Sequence, residues 1–260
     1  MPNLICFGFL FRVAISTDAC QIFHMLLRAL KGKGTYGNLL TSAVGGELVT
    51  AGDILRDHVS RGTDIGLAVR ECQLQGRLAN DDLVSEAVLS SLIERRYDRI
   101  KQPLAGTMDT RLGFILDGFP RTIRQAKIML SGDKWPDQFR AHVAISIDVP
   151  DGICVTKMLG RRICQDCGRS YNINGVDEGG FIMPPTLPNP QCYCDQEKNW
   201  ITREDDKEEI MKRRIKEFHS ETNPVIEWYE SIGKLIRFVP YRGVDDIHIL
   251  VSAIQNYLKR

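Results

Sequence analysis

Gly113–Thr122 reads GFILDGFPRT. The run Gly113–Leu116 predicts a short buried strand. Asp117-Gly118 breaks that strand, and Pro120 stiffens the turn that follows. In open α/β sheets, ligands bind beyond the carboxyl ends of the strands, where this turn falls. Its polar residues suit a phosphorylated ligand. Asp117 offers a hard carboxylate able to meet a magnesium-bound water. Gly118 permits close backbone approach, and Arg121 carries a planar fork matched to phosphate.

Outward from this turn, the chain alternates strand and helix patterns. His142–Val149 (HVAISIDV) and Leu235–Val239 (LIRFV) read as further buried parallel strands, and Gln21–Leu27 (QIFHMLL) as a candidate first strand. Helical patterns cover Leu83–Arg96 and Asp205–Tyr229, the second carrying favourable pairs at Glu208–Lys212 and Glu209–Arg213. The alternation predicts an α/β fold with a parallel sheet flanked by helices. Gly168–Trp200, rich in Gly, Pro, Asn and Asp, breaks the rhythm and reads as an inserted small domain. Tyr97–Thr110 reads as a surface insertion.

A second phosphate signal is Gly32-Lys33-Gly34-Thr35, ahead of a helical stretch. Glycines admit backbone N–H groups to phosphate oxygens, a helix N-terminus favours anions, and Lys33 adds a mobile positive charge. Thr35 supplies a hydroxyl suited to Mg²⁺.

Composition sets the frame. The 260 residues are 43% hydrophobic and 26% charged, ample for one core with inserts. The net charge of +1 provides no broad basic field for nucleic acid or an anionic membrane. No apolar run reaches membrane-spanning length. Leu4–Ser16 is apolar, but Arg12 interrupts it and no basic residue precedes it, so it does not read as a signal peptide.

Taken together, these motifs resemble the adenylate kinase family, whose signature contains D-G-[FY]-P-R. The likeness runs from Gly32 to about Leu258. It implies a P-loop NTPase-like sheet with an AMP-binding insert at residues 50–79 and a mobile lid at 157–203. Residues 22–260 form the kinase core, and residues 1–21 an atypical leader. Thr50–Arg56 (TAGDILR) matches the family's acceptor-site opening, and Gly76–Asp81 (GRLAND) its closing segment. The resemblance assigns Ala51, Arg56, Ala79, Gly118, Arg121 and Gln125 to the acceptor monophosphate. Gly160-Arg161-Arg162 resembles the hinge into the lid and Arg203–Asp206 its exit, with Arg214 at the expected separation. Arg203 and Arg214 would clamp the phosphates, acceptor included. Gly32, Lys33, Gly34, Thr35, Arg161 and Gly243 would hold the donor, Gly243 near its base. The implied reaction is MgATP plus AMP giving two ADP. Lys33, Arg121, Arg161, Arg203 and Arg214 would be its catalytic residues, with Asp117 ordering magnesium through water. The transfer needs positioning and charge neutralisation, with no side-chain nucleophile. Small nucleotides are the implied partners, with neither nucleic acid nor membrane; the expected state is a cytoplasmic monomer.

Eight cysteines include four crowded together: Cys164, Cys167, Cys192 and Cys194. Clustering of this kind in a large chain suggests metal. Cys164-x2-Cys167 makes a knuckle; Cys192 with Asp195, or with Cys194 at tighter spacing, would complete a tetrahedral zinc site. The family resemblance supports this, since some long-lid members carry structural zinc there. Four protein ligands leave no open position, so the metal would be structural.

Three departures stand out. The family's donor loop, G-x-P-G-x-G-K-G-T, is here Leu27–Thr35 (LRALKGKGT), without the early glycines and the proline. Three readings compete: the loop still folds, the protein is a weakened or inactive nucleotide-binding homologue, or residues 1–31 are not the natural start. The composition shift where the match ends favours the third. Lys157 stands where the family usually has arginine, keeping the charge and losing the fork. Ala51 replaces a frequent threonine, as in relatives acting on pyrimidine monophosphates, so UMP/CMP kinase and GTP:AMP kinase remain alternatives.

Overall fold

The structure is a computed structural model. It describes residues 22–27, 33–44, 46–74, 79–101, 113–131, 135–188, 199–202 and 207–259. Five parallel strands form the central sheet: β1 (Ile22–Leu27), β2 (Glu47–Thr50), β3 (Phe114–Asp117), β4 (Ala141–Ile147) and β10 (Leu235–Phe238). Their order is β10-β4-β1-β3-β2. The predicted strands are all present, shifted by a residue or two. β2 was not read from the sequence: ELVT is too short for a pattern of its own, and its pairing with β3 makes it a strand.

Because side chains alternate along a strand, β3 feeds both faces of the sheet. Phe114 and Leu116 join one cluster with Val49, Ile54, Val88, Leu92, Phe119 and Trp135. Ile115 turns the other way, to Leu40, Val143, Ile145, Phe238, Leu250 and Ile254. Helices α1 (Lys33–Val44) and α9 (Ile247–Leu258) cover this second face. The first is covered by α2 (Ala51–Ser60), α4 (Asp81–Lys101) and α5 (Ile123–Ser131), with α8 (Asn223–Ser231) on the adjoining cluster of Ala144, Val225 and Tyr229.

The helix starts follow local chemistry. Asn80 Oδ1 accepts the N–H groups of Asp82 (2.9 Å) and Leu83 (3.4 Å), capping α4, whose first turn is acidic. α4 runs beyond the predicted helix to Lys101; the rest of the predicted surface insertion, 102–110, lies outside the described residues. The predicted helix Asp205–Tyr229 is instead α7 (Glu208–Glu217), a π turn at Phe218–Thr222, and α8, which starts at Asn223 with proline next. The expected Glu208–Lys212 pair forms at 2.8 Å.

α2 and α3 (Asp64–Leu74) make a tight corner. Thr63 Oγ1 accepts the Gly66 N–H (3.1 Å) and lies 2.9 Å from His58 Nδ1. A Cβ at Gly66 would lie 2.1 Å from the His58 carbonyl oxygen and 2.7 Å from the Val59 nitrogen. Since this contact is with backbone, side-chain rotation cannot relieve it. Gly66→Ala is therefore expected to cost about 3 kcal/mol by overpacking. A melting temperature equal to wild type would show that the corner is looser than this.

Between β4 and α7 the chain leaves the main sheet. Helix α6 (Asp151–Leu159) leads into β5 (Arg161–Cys164), which pairs with β6 (Ser170–Asn172) and β9 (Trp200–Ile201). A separate hairpin joins β7 (Val176–Glu178) and β8 (Phe181–Met183). This small all-β unit coincides with the stretch that broke the helix–strand rhythm.

Candidate active site

The sheet order makes β1 central; the crossover leaving it runs to β2 on one side, and the crossover leaving its neighbour β3 runs to β4 on the other. The crevice at its carboxyl end is thus a topological switch point. Register brings the rest of the site there: Asp117 pairs with Met25 of β1 and Thr50 of β2. Lys33, Gly34 and Thr35 form the first turn of α1, the helix that follows β1. Gly32 lies outside the described residues.

The predicted turn after β3 is tightly specified. Asp117 is buried. Gly118 has φ +77°, a conformation that strains any residue with a Cβ, and the Phe119–Pro120 bond is cis. Arg121 is tied at both ends. Its N–H donates to Gln125 Oε1 (2.7 Å), its Nε donates to the Gly118 carbonyl (3.2 Å), and its own carbonyl accepts Thr222 Oγ1 (3.4 Å) from the π turn. Burial and the nearby charge of Arg214 both push the Arg121 pKa down, against a smaller opposing pull from Glu217 and Asp117. Two guanidinium groups from residues 93 apart are therefore within electrostatic range of each other, with Arg121 partly desolvated. An anion bound between them would relieve their repulsion.

Gln125 is buried, and its amide donates to Asp81 Oδ1 at 2.8 Å. In this conformation it links the Arg121 turn to the first turn of α4, just after the predicted acceptor segment ending at Ala79. Ala79 packs against the cluster that holds Phe119. Ala51 is buried where β2 passes into α2. Arg56, one turn along α2, is exposed and paired with Asp53.

On the donor side, Gly243 is buried with φ +65° and opens the short 3₁₀ turn Gly243–Asp246. Asp246 holds this turn by accepting the Arg242 N–H and Nε, both at 2.8 Å. Burial alone would raise the Asp246 pKa, but these Arg242 bonds outweigh it and hold the carboxyl below its ordinary value. Sequence reasoning missed Asp246; the carboxylate four residues after Arg242 was the available signal. Arg161 lies on β5, paired in register with Asn172. Arg203 lies outside the described residues.

Half of the predicted cysteine site is described. Cys164 is buried at the end of β5, and Cys167 is exposed. The chain turns between them, with the Gly168 N–H donating to the Cys164 carbonyl (2.9 Å) and Gly168 at φ +69°. Among the described residues, no group of three or more His, Cys, Asp or Glu could hold a metal. Cys192, Cys194 and Asp195 lie outside them. No described helix is long and apolar enough to cross a membrane.

Comparison with known proteins agrees with this geometry. The adenylate kinase family model matches residues 29–234. An adenylate kinase of Acetivibrio thermocellus is 36% identical over 217 residues, covering 83% of this chain and 88% of its own. A GTP:AMP phosphotransferase of Plasmodium falciparum is 30% identical over 233 residues, covering 88% and 93%. A probable chloroplastic adenylate kinase of Oryza sativa is 35% identical over 213 residues, covering 80% and 67%. With the fold, the turn after β3 and these relatives in agreement, the chain belongs to the adenylate kinase family.

Proposed function

We propose that this protein transfers the terminal phosphoryl group of ATP to AMP, giving two ADP. The observation that carries the reading is the buried Asp117 and the pinned Arg121 at the carboxyl end of β3, with Arg214 within electrostatic range. Phosphoryl transfer needs little covalent help from protein. It needs fixed positive charge where the equatorial oxygens develop negative charge, in a place that excludes water. Arg121, pinned by Gly118 and Gln125, supplies such charge with little reorganisation. Lys33 at the α1 N-terminus, Arg161 and Arg203 are assigned to the same phosphates. Ala51, Arg56, Ala79 and Gln125 are assigned to the acceptor, and Gly243 to the donor base. Asp117, a hard oxygen donor, would order a magnesium ion through water, and the ion would supply positive charge against the phosphates.

Supplying the purified chain with a panel of donors and acceptors in a coupled ADP assay tests the reading. ATP with AMP should be the best pair. GTP as the better donor would favour the second reading, a GTP:AMP kinase, suggested by the Plasmodium relative. If AMP binds and no ADP forms even at high enzyme, the protein is a nucleotide-binding homologue.

The lid is read as a zinc-stapled unit. Cys164 and Cys167 form a knuckle, and the chain returns to it immediately after the second cluster. The Gln165 N–H donates to the Asn199 carbonyl (2.9 Å), and Cys164 pairs with Trp200. Cys192 with Asp195, or Cys194, would close the tetrahedron. About one zinc per chain is expected in metal analysis, with loss in Cys164→Ser; equal zinc in the two proteins would remove the site. Nucleotides alone are read as partners, the near-neutral charge giving no footprint for nucleic acid. The proposed state is a cytoplasmic monomer, with an organelle as the alternative because several relatives carry chloroplastic names.

A further inference from the structure

Lys157 sits in the last turn of α6, where helix carbonyls lack partners. By resemblance it stands where the family usually has arginine, keeping the charge and losing the fork. Its Nζ donates to three carbonyls of the small β unit: Asn174 (2.9 Å), Pro184 (3.0 Å) and Met183 (3.1 Å). An ammonium has three protons, so these bonds match its full donor set. The β unit bonds back to α6. Asn172 Nδ2 donates to the Lys157 carbonyl (3.0 Å), Asn174 Nδ2 to the Thr156 carbonyl (2.9 Å), and the Ile173 N–H to the Gly160 carbonyl (2.9 Å). Gly160 makes room for this latch, since a Cβ there would lie 2.4 Å from Asn172 Oδ1 and 2.7 Å from Asn174 Cβ.

What the latch holds is the β7–β8 hairpin. Val176, Phe181 and Met183 turn inward and pack on Ile153, with Val149 and Val239 beside them. The Ile182 N–H donates to the Tyr241 carbonyl at 2.8 Å. The Phe181 and Tyr241 rings lie 5.0 Å apart. Met183 Cγ would touch a Cβ built on Gly243 at 3.4 Å. One edge of the lid is thus docked on the loop assigned to the donor base.

We propose that the hairpin is an anchored wall of the donor-base subsite, and that Lys157 is the positioning residue holding it there. This rests on the kinase reading only in assigning the donor base to Gly243. Lys157 acts by fixing lid backbone, and the phosphates are left to the arginines. Lys157→Met keeps the length of the side chain and removes its donors, leaving three carbonyls without that partner.

The test uses the full chain in three forms: wild type, Lys157→Met and Lys157→Arg. Amide hydrogen exchange without nucleotide reads the docking, and calorimetry with ATP reads the wall without needing turnover. In Lys157→Met, exchange across 172–184, the Ile182 amide included, is expected to quicken roughly tenfold, with β3 and β4 unchanged. The Kd for ATP should rise roughly tenfold, about the net worth of one hydrogen bond, and that for AMP should stay put. Lys157→Arg, which keeps charge and donors, should lie nearer wild type in both. Weaker ATP binding with hairpin exchange unchanged would mean that Lys157 touches the nucleotide itself, and would overturn the proposal. A loosened hairpin with ATP affinity unchanged would overturn it as well. Wild type that binds ATP with these responses yet forms no ADP would sink the kinase reading and leave the wall standing.

Discussion

Arg121→Ala is expected to lower kcat by about 10³-fold, the scale on which arginines act in phosphoryl transfer. The backbone around Arg121 is fixed by Gln125 and Thr222 through its N–H and carbonyl, which alanine retains. The loss should therefore fall on chemistry, not on folding. The charge at 121 is itself a burden on the empty protein, because burial and Arg214 both work against it. The variant should accordingly melt no lower than wild type in the absence of nucleotide, and nucleotide should raise its melting temperature less. Arg121→Lys keeps a charge and loses the bidentate fork, so an intermediate rate is expected. If Arg121→Ala keeps more than about a tenth of the wild-type kcat, no transition-state role of this size exists there.

Lys33→Met carries the second largest expected effect, at least about 10²-fold in kcat with stability little changed. The case is positional. Lys33 opens α1 immediately beyond the central strand, where backbone N–H groups and the helix dipole favour an anion. Asp117, in register with Met25, borders the same crevice. The experiment also bears on the unusual loop before Lys33, where Leu27 and Leu30 replace expected small residues. If Lys33 reaches the phosphates despite that loop, removing its charge costs the full amount. A wild-type rate already low and indifferent to Lys33→Met would mean that the loop does not wrap phosphate, and would favour a binding protein.

The stretch Gly113–Thr122 shows what can be read locally. Its apolar run, its break at Asp117-Gly118 and its arginine carry the strand, the turn and the proposed phosphate contact in ten consecutive residues, and the strand and the turn are where the pattern put them. β4 and β10 were legible for the same reason: a buried strand writes its burial into neighbouring side chains. β2 was not, because ELVT has too few residues for a period and its pairing partner lies 67 positions away at Phe114. The partners of Lys157 were not legible for a related reason. Its charge is visible in the sequence, but the carbonyls that take its protons belong to residues 17 to 27 positions on, brought back by the hairpin.

The order of residues by itself determined the element pattern, the glycine-dependent turn after β3 and the supply of arginines, because each depends on side-chain period or on backbone freedom a few residues wide. Only the tertiary structure decided that Arg121 comes within electrostatic range of Arg214, that Gln125 binds Asp81, and that Lys157 bonds the carbonyls of Asn174, Met183 and Pro184. Those are choices among partners far apart in the chain, and the packing of helices on a shared sheet selects them.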